Sequence, residues 1–168
     1  MHNGASDAAA SCTQGIAAHG GPTVSKGSSG GGAGISDSSA GTGPVRESGG
    51  ISYQKSPQAA AFGDVAVEVS VSKLNDAWQN DIGYIGRGGR GGIQDPGAEQ
   101  SRYERAKSFI DRGNTIDMPQ VTYDPKRNRV VFNDGRHRAA VIRDKGKKTM
   151  WVTVPRGQAR QAKSALGP

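Results

Sequence analysis

Five consecutive residues, Asp134, Gly135, Arg136, His137 and Arg138, bring a carboxylate, an imidazole and two guanidinium groups to one point of the chain, within the stretch VVFNDGRHRAAVIRDKG. A charge buried without a partner is costly, so such a row is either solvated or built to hold something charged. The two arginines offer planar forks suited to bidentate contact with phosphate, and Gly135 lets a ligand approach the backbone closely. His137 can donate to a phosphate oxygen or take a proton from an attacking group. Asp134 has three readings, as helix N-cap, Mg²⁺ ligand or general base, of which capping is the plainest.

A second group lies upstream. The run GRGGRGG, residues 86–92, carries Arg87 and Arg90 on a glycine-rich segment. On a mobile loop these arginines would close over a triphosphate or touch a nucleic-acid backbone; the plainer reading is a flexible crossing loop with solvated side chains. The run lacks the GxxxxGK[ST] pattern of a P-loop, and no strand–GxGxxG–helix arrangement accompanies it. Asp117 and Asp124 flank a short apolar segment and are further candidate carboxylates, although Asp124 precedes Pro125 and suits a turn. Cys12 is the only cysteine, which excludes a disulfide framework, a CxxC zinc site and a buried thiol nucleophile.

The elements that must position these groups follow from periodicity. VAVEVSVSKL alternates Val65, Val67, Val69 and Val71 with smaller or polar residues, the pattern of a half-buried strand. NDAWQND adds a short helical turn anchored by Trp78. Six glycines in residues 83–92 then require a loop. Asp95 followed by Pro96 is a helix cap and first helical position, and Tyr103, Ala106 and Ile110 share one face before Gly113 ends the helix. MPQVTYD and RVVFN read as two strands of a hairpin turning through DPKRN. A helix over about residues 136–145 follows, stopped by Gly146, and TMWVTVP returns as a strand. A helix starting after Gly135 leaves free backbone N–H groups and roughly half a positive charge at its first turn, where anions bind readily. The order describes a small α+β, or mixed α/β, domain of about 95 residues with one modest core.

Composition divides the chain. Residues 1–63 hold 14 of the 26 glycines with 11 serines and 11 alanines, and are expected to form a disordered tail. The folded domain is expected over residues 64–156, with a C-terminal tail over 157–168. The formal net charge of +7 belongs to residues 64–168, where 19 basic residues face 12 acidic ones. Such a domain favours nucleotides or nucleic acid as partners, though a basic surface also serves solubility. No run of 18 apolar residues suggests a membrane span, and the N-terminus lacks the pattern of a secretory signal. A Ser/Gly/Ala-rich start is similar in composition to bacterial type III secretion substrates. The expected location is therefore the bacterial cytoplasm or, as a secreted effector, a host cell; an ordinary tail or linker is the plainer reading.

VFNDGRHRAAVIRDKG followed by TMWVTV resembles the ParB/sulfiredoxin superfamily, in which a strand passes through a Gly-containing, His/Arg-rich turn into a helix and then another strand. VEVSVSKL looks like that superfamily's opening strand, so the likeness covers about residues 65–154 in element order and is specific over 132–146. Sulfiredoxins place a cysteine immediately before the His-Arg pair; Arg136 stands there in this chain, which argues against that reaction. In ParB-type members the equivalent turn holds nucleotide phosphates through backbone N–H groups and arginines, a role the resemblance would pass to Gly135, Arg136 and Arg138. The chain ends thirteen residues after Pro155, leaving no room for ParB's helix-turn-helix domain, so full partition-protein behaviour is not expected. Members with a DGxHR turn are similar to nucleotide-dependent kinases, ATPases or nucleases. The resulting expectation is a nucleotide phosphohydrolase, phosphotransferase or nuclease using nucleoside triphosphate and Mg²⁺, with Asp134 and His137 as catalytic groups. The alternative is a non-catalytic nucleotide- or nucleic-acid-binding module at the same helix start.

Overall fold

The computed structural model describes residues 43–92 and 95–168. The expected disorder of residues 1–42, and Cys12 with it, lies outside the described residues. The domain boundaries differ from expectation on both sides. Strand β1 (Arg46–Ser48) and strand β2 (Ile51–Gln54) form an antiparallel hairpin, followed by helix α1 (Pro57–Ala61). The hairpin turns on Gly49 and Gly50, both at positive φ, which is the backbone that a two-residue hairpin loop needs. Tyr53 is fully buried and Ile51 nearly so, and Ser56 caps α1 by accepting from the Ala59 N–H at 3.1 Å. At the other end the expected tail contains helix α5 (Ala159–Leu166), whose Ala162 and Leu166 are buried. Lys73 Nζ donates to the Gly167 carbonyl at 2.7 Å and ties that end down.

Between these additions the expected elements are present, and the α+β class holds. Strand β3 (Val65–Ser70) stops one residue short of the last valine of its alternating run. Ser70 instead accepts from the Lys73 N–H and caps helix α2 (Val71–Trp78). Helix α3 (Pro96–Asp111) is capped by Asp95, which accepts from the Gly97 N–H at 2.7 Å. Strand β4 (Ile116–Asp117), strand β5 (Gln120–Asp124) and strand β6 (Arg129–Asp134) follow. In the β5–β6 turn Asp124 accepts from the N–H groups of Lys126 and Arg127, the turn duty its place before Pro125 implied. Helix α4 (Arg136–Asp144) and strand β7 (Thr149–Val154) complete the order.

Two sheets result. The larger has the order β3-β7-β5-β6; β3 with β7 and β5 with β6 are antiparallel, and β5 with β7 is parallel. The smaller has the order β1-β2-β4, with β4 beside β2 in parallel register, Tyr53 opposite Ile116 and Gln54 opposite Asp117. One core joins them, built on Val67, Val69, Leu74, Trp78, Val121 and Val152 among others. Among the described residues no helix is long and apolar enough to cross a membrane.

Candidate functional site

Strand β6 is an edge of the larger sheet, and its last residues deliver Phe132, Asn133 and Asp134 to the start of α4. The connection passes through Gly135 at φ 78. A side chain is excluded there twice over, because the backbone is left-handed and a Cβ would sit 2.8 Å from the Cα of Pro119. Gly135 is the N-cap of α4, with no side-chain hydrogen bond capping the helix. Asp134 is therefore not the expected cap. Its carboxylate pairs with Arg138, four residues on, at 2.5 Å.

The residue that organises the site is Glu99, in the first turn of α3, whose side chain is 0% exposed. Its Oε1 accepts from Arg136 Nη2 at 2.8 Å, and its Oε2 lies 2.5 Å from His137 Nε2. A buried carboxylate needs such partners, since burial of an unpaired charge costs several kcal/mol at least. Burial pushes the His137 imidazole below its usual 6.5, Glu99 opposes the fall, and Arg136 and Arg102 add to it. The ring is then neutral at pH 7. A carboxylate paired with a guanidinium only accepts, so the contact assigns the ring proton to Nε2 and leaves Nδ1 as an acceptor or base.

Arg102, Phe132, Asn133, Asp134, Gly135, Arg136 and His137 line one cleft of about 330 Å³. Of the predicted residues, Asp134, Gly135, Arg136 and His137 are thus together. Arg138, paired with Asp134, does not line this cleft and instead lines a second one with Arg105. Arg87 and Arg90 are exposed and line neither cleft. Their glycine-rich segment has another place in the fold. Gly92, at φ 109, comes so close to Glu99 that a Cβ would lie 3.1 Å from its carboxyl carbon, and Gly89 packs against Tyr103. The segment is also anchored, with the Gly88 N–H donating to Asp144 at 2.9 Å and Arg143 Nη1 donating to the Ile85 carbonyl at 2.8 Å.

Glu99 and Arg102 were not among the residues expected from sequence. The signal for Glu99 is its position four residues before Tyr103 on the buried stripe of α3, where a carboxylate is out of place on an apolar face. Phe132 joins the cleft from the core side, held 4.5 Å from the ring of Trp78. Among the described residues no group of three or more His, Cys, Asp and Glu side chains is arranged to hold a metal ion.

No known family profile matches the chain, and no curated protein matches it. Among solved structures it is similar to the crystal structure of the oncogenic suppression activity protein, a plasmid fertility inhibition factor, in a gold(I) cyanide derivative. The TM-score is 0.50 and the identity 16%, over 74% of this chain and 66% of that one. At that identity the likeness is one of fold alone.

Proposed function

We propose that this is a ParB/sulfiredoxin-like domain that binds a nucleotide by its phosphates at the start of α4 and acts on them as a phosphohydrolase, phosphotransferase or nuclease. The observation that carries the reading is Glu99, wholly buried and holding both Arg136 and His137 at the mouth of a polar cleft. A carboxylate that orients a neutral imidazole, with a guanidinium and a helix N-terminus beside it, is an arrangement for moving a proton next to a phosphate. In this reading Arg102, Arg136 and the first-turn N–H groups of α4 hold the phosphate, and His137 Nδ1 accepts the proton of the attacking hydroxyl or water. The site offers one carboxylate at its edge, Asp134, which is 59% exposed. That suits an Mg²⁺ arriving on the phosphates of the nucleotide, as this ion commonly binds, rather than a resident ion. The non-catalytic alternative draws on the commitment of Arg138 to Asp134 and of Arg136 to Glu99, which are contacts that also serve simple binding.

His137→Gln separates the two. Glutamine can still donate to Glu99, so nucleotide binding, read as a thermal shift with nucleoside triphosphate and Mg²⁺, should persist. Phosphate or nucleotide-product release should fall roughly 10²–10⁴-fold, the usual worth of general acid–base catalysis. Tight binding by the parent without turnover of triphosphates, plasmid DNA or RNA would leave the binding module.

A further inference from the structure

We propose that the neighbouring cleft is the base subsite of the same nucleotide, an inference that rests on the phosphate reading just given. The two clefts have no lining residue in common, but an ion pair joins the lining of one to that of the other. Arg138 lines the second, Asp134 lines the first, and the two side chains are paired at 2.5 Å. Arg102 and Arg105, one turn apart on α3, repeat the relation on the other side. In this proposal a ligand longer than the first cleft passes over the Asp134–Arg138 pair into the second.

The second cleft, about 390 Å³, has the character that a nucleobase needs. Phe109, Ala106 and Ile116 give it an apolar surface, beside Thr115 and the side chains of Arg105 and Arg138. Phe109 is 42% exposed, one of few large apolar side chains left at the surface among the described residues. At the rim stand a carboxylate and a carboxamide: Gln54 Nε2 donates to Asp117 Oδ1 at 2.9 Å. A flat ring with apolar faces and a hydrogen-bonding edge matches an aromatic platform with an amide and a carboxylate beside it. Each cleft alone is near the small end of ligand sites, and both together are in the range that takes a drug-sized molecule. Asp117, conspicuous in sequence without a clear task, gains one at this rim. The nucleotide unit can be free or part of a single strand, because base stacking serves both.

The experiment uses the full chain, with the four nucleoside triphosphates, inorganic tripolyphosphate and a short single-stranded oligonucleotide as probes, measured by calorimetry and fluorescence anisotropy. At least one nucleotide probe should bind roughly 10-fold or more tightly than tripolyphosphate, the gain that one stacked base supplies. Phe109→Ala should remove that advantage and leave tripolyphosphate affinity unchanged, while Phe109→Trp should keep it. Phe109 is partly exposed, so both variants should fold, and a matched urea midpoint checks this. Dependence on Phe109 for free triphosphates identifies a free nucleotide, and dependence only for the oligonucleotide identifies a strand; both support the subsite. Equal affinity for nucleotides and tripolyphosphate, insensitive to Phe109, overturns the base subsite and leaves the phosphate reading standing. Failure of every probe to bind overturns the phosphate reading, and the subsite with it.

Discussion

The imidazole of His137 is where the chemistry of single residues can be followed most closely. Its affinity for a proton is lowered in the folded chain, chiefly by burial, from the 6.5 of a free side chain. The unfolded chain therefore binds the proton more readily. The contribution to stability is complete above about pH 6.5 and is lost as pH falls through the lower, folded value. Thermal melts of the parent should show a decline beginning below pH 6.5 that is shallower in His137→Gln. The same sign governs catalysis under the proposed function: the acid limb of kcat/KM should fall below 6.5. Glu99 is the group that holds this affinity up, so Glu99→Gln should move the limb further toward acid. Neither residue's partner could be read along the sequence. Glu99 meets Arg136 and His137 from 37 and 38 positions away, and only the packing of α3 on α4 makes them neighbours.

At the scale of elements, what was legible was what local chemistry dictates. Asp95–Pro96 starts α3, Asp124–Pro125 turns the β5–β6 hairpin, and Gly113 and Gly146 follow the ends of α3 and α4 at positive φ. The strands β1 and β2 were illegible because three or four residues set among glycine and serine show no period, and β2 finds its parallel partner β4 only through the tertiary fold. Glycine positions give a test that separates backbone from packing. Gly50, at φ 74, has open space around it, so Gly50→Ala should cost about 1–2 kcal/mol from the left-handed backbone alone. Gly135, at φ 78, adds a close backbone contact with Pro119, so Gly135→Ala should destabilise more, by denaturant midpoint, than Gly50→Ala does. Equal losses would mean that the β6–α4 junction yields to the added methyl group.

For the molecule as a whole, the folded unit is larger than the basic domain that charge and composition suggested. The hairpin β1–β2 covers Trp151, with the Arg46 guanidinium 4.4 Å above its ring and the Glu47 carbonyl accepting its indole N–H at 3.2 Å. Tyr53 completes the core from the same segment. A chain begun at Asp64 should thus unfold at clearly lower urea than one begun at Gly43, the loss being about 3–5 kcal/mol if Tyr53 behaves as other large core side chains do. Coincident midpoints for the two would show that the hairpin adds nothing to cooperativity. The glycine-rich segment has a consequence of a different kind. By lying against Glu99 it roofs the carboxylate rather than a ligand, so water reaches that side of the Glu99–His137 contact only when the roof lifts. Amide hydrogen exchange along residues 83–92 should therefore report how often that side of Glu99 is uncovered.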